Sequence, residues 1–581
     1  MKNLTACRSR WSAARFAALV CCLAAPLACK EPDDPARRAA ALGEAARDKA
    51  RTGATAQALD LYREALALNP DDHVIRRDYA VVLGWAEHYA EASRQFALVI
   101  EKAPNQPVWA LREQARTELF GGRPHRALEI LDQLIASGDV SEETRSRKGL
   151  TLRWLNRSSD AEMVYRNVIE AYPESVAGAI GLANSLSDRN RLGDALGVVN
   201  RTLAANPSQW QLLQTKAQIL NWQGRHLQAM KVLDGIPAGH AAERTVVETR
   251  IQALRWGGDP NGARKSLDQL RQMFPQNREV DRTGRDVDLE YGYALRTTGW
   301  MIGDSDDFVD TAIGQELAFH LNPAHRLQLG YQHRRFEQRE TLQWRRTEVG
   351  WSGVLHRRVR AYGSAAHIDY LGEGRPRRVI GDGGISLALS DRVRVSAAGG
   401  SIAMDAFEAV SHQVTGSFYQ VSLQLRPLPL TTLDGQWAAF SFNNGVRRER
   451  LDATGIHRLR QGRRIHVDVG GRSNWMRHDR QTPDFFSPSS FQTHTALVRL
   501  SGRLPANLEY RTETAYGIQR EPGAPLQHPL LLTGSLVWRL HPSFSLHVDA
   551  GRSTSSVDRI NPGRPSYTRR FVVVGINFRN D

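Results

Sequence analysis

What this 581-residue chain lacks excludes several classes of protein. Cysteine occurs only at positions 7, 21, 22 and 29, so the rest of the chain has no disulfide framework and no thiolate metal site. After the first thirty residues no long apolar run occurs, and the mean hydropathy is −0.44. A helical membrane protein is therefore excluded. The length is too great for one hydrophobic core, so more than one domain is expected.

The N-terminus has the layout of a secretory signal. Residues 16–28 are apolar and follow four basic residues, Lys2, Arg8, Arg10 and Arg15. We expect a signal peptide over 1–29 and a linker over 30–38. Cys29 follows Pro-Leu-Ala, which resembles the lipobox of bacterial lipoproteins, although Pro26 stands where that family usually has Leu. Cys29 is therefore a lipidation candidate, and ordinary cleavage near it is the alternative.

Positive charge is carried by arginine in the second half of the chain. The net charge is +15, no lysine follows Lys265, and from Asp288 onward 37 Arg face 28 Asp and Glu. Nucleic acid is not the expected partner of an exported chain. Arginine binds carboxylate and phosphate groups in a bidentate manner, which suits lipopolysaccharide or an acidic glycan. GC-rich codon usage is an alternative cause of the bias.

A repeat of fixed period fills the first half. Alanines recur with spacings of 34, 35, 34, 34, 34 and 34 residues, at Ala58, Ala92, Ala127, Ala161, Ala195, Ala229 and Ala263. A large apolar residue follows four positions after each, at Tyr62, Phe96, Leu131, Tyr165, Val199, Leu233 and Leu267. A proline follows most of the alanines twelve positions later, at Pro70, Pro104, Pro173, Pro207 and Pro275.

This pattern resembles the tetratricopeptide repeat, a pair of helices in which a small residue lets the two helices approach and a proline ends the second. The resemblance implies about seven stacked units over 39–280 that form a superhelix, whose concave side usually holds a protein or an extended ligand. It indicates a fold and says little about function.

From about residue 286 the pattern alternates with period two, which predicts β-strands. In 508–519, Leu, Tyr, Thr and Ile occupy one face, whereas Glu, Arg and Gln occupy much of the other. Seven tight turns are expected, at 322–325, 355–358, 389–392, 426–429, 460–463, 504–507 and 540–543. Longer connections are expected between them, such as 298–308, 370–377, 476–491, 520–528 and 554–566. The segment GDGG at 381–384 is also expected to be a loop.

Short turns at one end and long loops at the other are typical of outer-membrane barrels. The fold class is therefore α+β in separate domains, an all-α repeat superhelix followed over 286–581 by a transmembrane antiparallel β-barrel of about sixteen strands. The terminal aromatic Phe578 resembles the assembly signature of such barrels, displaced here by Arg-Asn-Asp. A soluble β-sandwich or propeller is the alternative. Girdle positions at the lipid interface are expected for Tyr291, Trp300, Trp344, Trp351, Trp437, Trp475 and Trp538.

Polar residues on the inward face are the candidate substrate path through the lumen. Parity along the strands selects Gln328, Gln332, Arg334, Arg394, His466, Asp468, Arg472, Glu509, Arg511, Glu513, His547 and Asp549. A hydrated wall without ligand contact is the alternative role for these residues. No nucleophile elbow, zincin or Walker motif occurs, so we expect no catalytic residue, no cofactor and no metal. A lipase or deacylase on the outer wall of the barrel is the enzymatic alternative.

Signal, repeats and barrel together resemble the outer-membrane exporters of exopolysaccharides such as poly-N-acetylglucosamine and cellulose, and the related YaiO-type proteins. The resemblance implies an outer-membrane porin of a Gram-negative cell whose periplasmic repeats bind a protein partner or the nascent polymer. The arginine excess favours an anionic or neutral polysaccharide over a polycation, and lipid and lipopolysaccharide as further contacts. Two alternatives are a repeat scaffold anchored by a non-conducting barrel, and a general solute porin.

Overall fold

A computed structural model describes residues 34–102, 107–275, 277–372, 377–462, 465–555 and 567–580. The predicted signal peptide, Cys29 and Pro104 lie outside these described residues. The chain divides into two compact units, 1–172 and 173–581. The division does not coincide with the predicted boundary between repeats and barrel, because the later repeats pack against the barrel.

The first unit consists of helices in its described part. They are α1 (Pro35–Arg51), α2 (Thr55–Leu68), α3 (His73–Trp85), α4 (Tyr89–Lys102), α5 (Pro107–Phe120), α6 (Pro124–Ala136), α7 (Glu142–Trp154) and α8 (Ser158–Ala171). Consecutive helices pack in pairs, and each pair also contacts the next. The second unit continues with α9 (Val176–Asp188), α10 (Leu192–Ala205), α11 (Trp210–Trp222), α12 (His226–Asp234), α13 (Arg244–Gly257), α14 (Pro260–Met273) and α15 (Arg278–Tyr291).

The repeat prediction is confirmed at the level of single side chains. All seven alanines of the periodic series have an exposed fraction of 0%, and the apolar residue four positions after each is also buried. Ala and a large side chain on one helical face allow close helix packing, since the small residue leaves room for the facing helix. Side-chain caps begin several helices: the carboxylate of Asp72 accepts hydrogen bonds from the backbone N–H groups of Val74 and Ile75.

The last helix, α15, extends past residue 286, where the barrel was expected to begin. Val280 and Val287 are buried on one side of it, and Asn277 caps its first turn. Residues seven positions apart lie on the same face of a helix, so both valines pack against the preceding helix pair. The first strand therefore begins at Tyr293.

The remainder is a β-barrel of sixteen strands. They are β1 (Tyr293–Asp304), β2 (Val309–Asn322), β3 (His325–Glu337), β4 (Thr341–His356), β5 (Val359–Leu371), β6 (Arg377–Ser390), β7 (Val393–Ala403), β8 (Thr415–Leu425), β9 (Thr431–Phe442), β10 (Arg447–Gln461), β11 (His466–His478), β12 (Phe491–Leu504), β13 (Leu508–Arg520), β14 (Leu530–His541), β15 (Phe544–Ser553) and β16 (Arg569–Asn580). A short helix, α16 (Phe407–Ser411), lies between β7 and β8.

Every strand pairs antiparallel with its neighbours in sequence, and β1 pairs with β16, which closes the barrel. The predicted strand number and six of the seven tight turns are confirmed, whereas Arg463 in the turn predicted at 460–463 lies outside the described residues. We call the end with these turns the turn rim and the opposite end the loop rim. The repeats join the barrel at the turn rim, because α15 leads directly into β1.

Two expected loops are strands. Residues 298–304 belong to β1, so only 305–308 connect β1 to β2. The GDGG segment lies within β6, where its glycines admit close neighbours: a Cβ on Gly384 would lie 2.6 Å from the ring of Tyr362 and 2.9 Å from the carbonyl oxygen of Ala397. Glycine in this strand thus reflects close approach rather than a turn.

The outer face of the barrel is apolar. Leu, Val, Ile, Phe and Tyr side chains at alternate positions of most strands are exposed, which is typical of a face in contact with lipid. The girdle prediction is wrong for three of its residues. Trp300 and Trp344 face inward because their strand register places them beside Arg334, and Tyr291 belongs to α15. Among the described helices, none has both the length and the hydropathy needed to cross a bilayer.

Candidate functional site

The twelve predicted lumen residues all lie at inward positions, meaning the strand positions opposite the exposed apolar face. In β13, Thr514, Tyr516 and Ile518 are exposed, whereas Glu513 and Gln519 are buried. The strand register carries this parity to the neighbouring strands, since side chains of paired residues share a face. Contact of these residues with a substrate stays a prediction.

Charged and polar side chains pair with one another along much of the inner wall between β10 and β15. Glu513 accepts from Arg499 Nη2 at 2.6 Å and from Arg472 Nη2 at 3.0 Å. The Nε of Arg458 donates to Asp468 at 2.7 Å. Glu509 accepts from Arg503 and Arg539 at 2.5 and 3.2 Å, and His547 contacts Asp549 at 2.6 Å. Six of the predicted residues therefore take part in these contacts: Asp468, Arg472, Glu509, Glu513, His547 and Asp549.

Arg334 forms ion pairs with two carboxylates near the loop rim. Its guanidinium donates two hydrogen bonds to Asp310, at 2.9 and 2.7 Å, and one to Asp405 at 3.0 Å. The guanidinium carbon lies 4.7 Å from the ring centre of Phe336. Because Asp405 belongs to the β7–β8 connection, Arg334 ties that connection to the inner wall.

The β7–β8 connection lies against inward residues. Phe407 and Val410 of α16 share a buried apolar cluster with side chains from β3, β4, β5 and β6, including Phe336 and Trp344. Since those strand residues face inward, α16 lies inside the barrel at the loop rim. Sequence alternation missed this cluster because buried aromatic residues at inward positions read as girdle residues.

The β11–β12 connection, residues 479–490, also lies inside. Phe485 contacts the ring of Phe442 at 4.9 Å, and the guanidinium carbon of Arg448 lies 5.0 Å from the ring centre of Phe485. Asp484 accepts hydrogen bonds from Asn444 Nδ2 at 2.6 Å and Thr482 Oγ1 at 3.0 Å. It also contacts Nδ1 of His412, which follows α16, at 2.8 Å. The two inner loops are thus joined to each other.

At the turn rim, the barrel contacts the ends of repeat helices with matching charges. Asp391, in the β6–β7 turn, accepts from the backbone N–H groups of Leu227 and Gln228 at the start of α12, at 2.9 and 3.1 Å. The guanidinium of Arg426 lies beside Gly224 after α11, and that of Arg360 beside Gly258 after α13. Helix starts favour negative charge and helix ends favour positive charge. Nothing in the periodic pattern of the sequence pointed to this docking.

Three cavities lined by described residues lie between the repeats and the barrel at this rim, and two of them reach β5 to β8. One, of about 610 Å³, is lined by repeat residues such as Arg255 and Glu290 and by inward residues such as Ser396 and Ser422. The other, of about 210 Å³, contains Trp256, one carboxylate and five arginines in its wall, the latter being Arg357, Arg360, Arg392, Arg394 and Arg426. Both cavities combine repeat residues with the lumen wall.

Burial alters the titration of the groups around these cavities. Burial raises the pKa of Tyr291 to about 12, so its hydroxyl stays protonated at neutral pH. Burial and the charge of Arg426 lower the pKa of His226 despite the opposing influence of Asp391. His226 is therefore neutral at pH 7, and the positive charge of the smaller cavity comes from its arginines.

Exposed aromatic residues recur at the end of the first helix of most repeats. We call Trp85, Phe120, Trp154, Trp222 and Trp256 the aromatic series. Their exposed fractions run from 39% to 61%. In the first unit the rings of Phe120 and Trp154 lie 5.7 Å apart, edge to face. This series was not predicted from the sequence, although its members follow the same 34-residue period.

Known proteins match parts of this architecture. The class that the fold defines is a closed antiparallel barrel with an apolar outer face and tetratricopeptide-like repeats. A family model described as tetratricopeptide repeat matches residues 50–115. No curated protein matches the chain.

Several solved structures are similar to parts of this chain at low scores. A protein described as a bacterial polysaccharide outer membrane secretin is 12% identical, with a TM-score of 0.44, over 50% of this chain and 99% of its own. A tetratricopeptide repeat protein from Parabacteroides merdae is 15% identical, with a TM-score of 0.36, over 43% and 99%. CdiB from Acinetobacter baumannii is 12% identical, with a TM-score of 0.34, over 50% and 60%. Likeness at this level decides nothing about fold or function.

Proposed function

We propose that this chain is an outer-membrane pore that exports an exopolysaccharide from the periplasm, with the turn rim on the periplasmic side. The observation that carries the proposal is the larger turn-rim cavity, whose wall passes from repeat residues to the inward serines of β7 and β8. A polymer held by the repeats would meet the polar wall there. A barrel of about sixteen strands is wide enough for an aqueous lumen.

The inner wall and the repeats both supply groups that bind sugars weakly at many points. Hydroxyl, amide and guanidinium groups at inward positions replace water around sugar hydroxyls. Aromatic rings are apolar surfaces with polar edges, and the aromatic series exposes such rings once per repeat in most repeats. In this proposal the repeats contact the nascent polymer or a periplasmic protein, the outer face contacts lipid and lipopolysaccharide, and the chain catalyses no reaction.

A second function is favoured by the inner loops. Because α16 and residues 479–490 lie inside the loop rim, the barrel could serve as a closed anchor for a repeat scaffold. The two functions differ in one measurable property. The pore conducts when its inner loops move, whereas the anchor does not.

Release of trapped sugars from vesicles tests the proposal. Vesicles containing the purified full chain would be loaded with fluorescent oligosaccharides of increasing length and with a dextran too wide for the lumen. We expect the oligosaccharides to leave and the dextran to stay. Vesicles with heat-denatured protein are the control. Retention of every oligosaccharide would contradict the export function and support the closed anchor.

A further inference from the structure

Three arginines at the turn rim differ from most charged residues of the inner wall. Arg360, Arg394 and Arg426 share the smaller cavity, and the charges of Arg360 and Arg426 both act on Arg394. Among the residues that the structure describes, none of the three forms an ion pair. At Glu513, by contrast, two arginines, Arg472 and Arg499, form ion pairs with one carboxylate.

The carboxylate of this cavity is already occupied. Both oxygens of Asp391 accept hydrogen bonds from the start of α12. Arg225 and Arg392 lie close enough to repel each other, and burial together with this repulsion lowers the pKa of Arg225. Like charges held together in a recess favour the binding of an anion.

Two of the three arginines have a structural role as well. Arg360 and Arg426 lie against Gly258 and Gly224, where helices α13 and α11 end, and so help to hold the repeats on the barrel. No such contact is made by Arg394 within the described residues. A substitution at Arg394 should therefore affect ligand binding without disturbing the contact between the repeats and the barrel.

An aromatic residue stands beside the arginines. Trp256, the last member of the aromatic series, lines the same cavity and has an exposed fraction of 46%. A flat ring next to guanidinium groups suits a sugar ring that carries an acidic substituent. The ring packs on the apolar face of the sugar, and the arginines bind its carboxylate or phosphate.

We propose that this cavity, which we call the rim site, binds an acidic sugar unit of the exported polymer through Arg360, Arg394, Arg426 and Trp256. The proposal rests on the export function and adds to it the class of substrate, an anionic polysaccharide. When such a polymer enters, these arginines would replace the counterions of its first acidic units.

Calorimetric titration of the purified full chain in detergent micelles tests the rim site without requiring transport. The probes are tetragalacturonate, neutral maltotetraose and inorganic phosphate. We expect tetragalacturonate to bind at least tenfold more tightly than either of the others. The substitution Arg394→Gln should weaken tetragalacturonate binding about ten- to hundredfold, since it removes charge-assisted hydrogen bonds.

The matched control is Arg477→Gln, which removes the same charge near the loop rim, where Arg477 is exposed. This variant should bind tetragalacturonate within about twofold of the unchanged chain. Retention of the heat-modifiable electrophoretic band shows that each variant is folded.

Each outcome bears on one hypothesis. Equal affinity for tetragalacturonate and maltotetraose, or no effect of Arg394→Gln, overturns the rim site. Phosphate binding as tight as tetragalacturonate binding overturns the sugar-specific part and leaves a free-anion site. Because calorimetry does not depend on conduction, binding by a barrel that releases no sugar would contradict export alone, and sugar release without tetragalacturonate binding would contradict the rim site alone.

Discussion

Replacing Asp484 with alanine should loosen the inner loops and open the pore more often. Asp484 accepts hydrogen bonds from Asn444 and Thr482 and contacts His412, while its own side chain is only 11% exposed. A hydrogen bond to a charged group contributes about 1.5–3 kcal/mol, and water replaces part of it here because the His412 side chain is largely exposed.

The net loss for the docked loop is therefore about 2–3 kcal/mol, which corresponds to a change of about 30- to 150-fold in the ratio of docked to undocked loop. Single-channel recording in planar bilayers measures this ratio as open probability. Arg480→Ala is the control, because Arg480 lies in the same loop but is exposed. If Asp484→Ala and the unchanged chain have the same open probability, the inner loop 479–490 does not close the pore.

The contacts of Asp484 also predict that the pore opens more often at low pH. Burial alone would raise the pKa of Asp484, but hydrogen bonds from Asn444, His412 and Thr482 outweigh burial and hold the pKa below its usual range. A depressed pKa means that the carboxylate stabilises the docked loop at neutral pH and that this contribution is lost as the pH falls through that low pKa. We expect open probability to rise below about pH 4, the usual range of an aspartate, and the rise to be absent in Asp484→Ala. An equal rise of open probability in the unchanged chain and in Asp484→Ala would show that another titrating group controls acid opening.

Two further predictions concern stability. Gly149→Ala should lower the free energy of unfolding of the first unit by about 1–3 kcal/mol, since the new Cβ would lie 2.6 Å from the ring of Tyr165, whereas Gly197→Ala, with open space around it, should be neutral or stabilising in the same thermal denaturation. Val574→Arg on the exposed outer face should reduce the folded fraction in heat-modifiability gels, at a cost of about 2–4 kcal/mol, while Val573→Arg at the neighbouring inward position should be tolerated. Equal stability of the two glycine variants would contradict the close packing at Gly149. Equal folded fractions of the two valine variants would contradict the outward position of Val574.

The repeats and the strand count could be predicted because both depend on periodicity. Burial at Ala58 and its six counterparts requires a small residue every repeat, and the tight turns separate strands at regular intervals. Inward residues of β13 were predictable for the same reason, since strand side chains alternate. Where the period holds, sequence alone positions the side chain.

Contacts between distant segments were not predictable. The ion pairs of Glu513 join residues from three strands, and the docking of Asp391 on α12 depends on how the repeats approach the rim. The inner loops were missed because Phe407 and Phe485 lie outside the alternating segments. No periodic signal marks a loop that folds into a lumen, so its position depends on tertiary packing.

If the barrel encloses a passage for sugar chains, the purified full chain should conduct, and single-channel conductance tests this most directly. Recording would be made with the unchanged chain and with Asp484→Ala, each with and without tetragalacturonate. We predict discrete conductance steps, more frequent in the variant, that tetragalacturonate blocks and maltotetraose blocks less. Silence in both proteins would contradict the pore and leave a repeat scaffold anchored by a closed barrel.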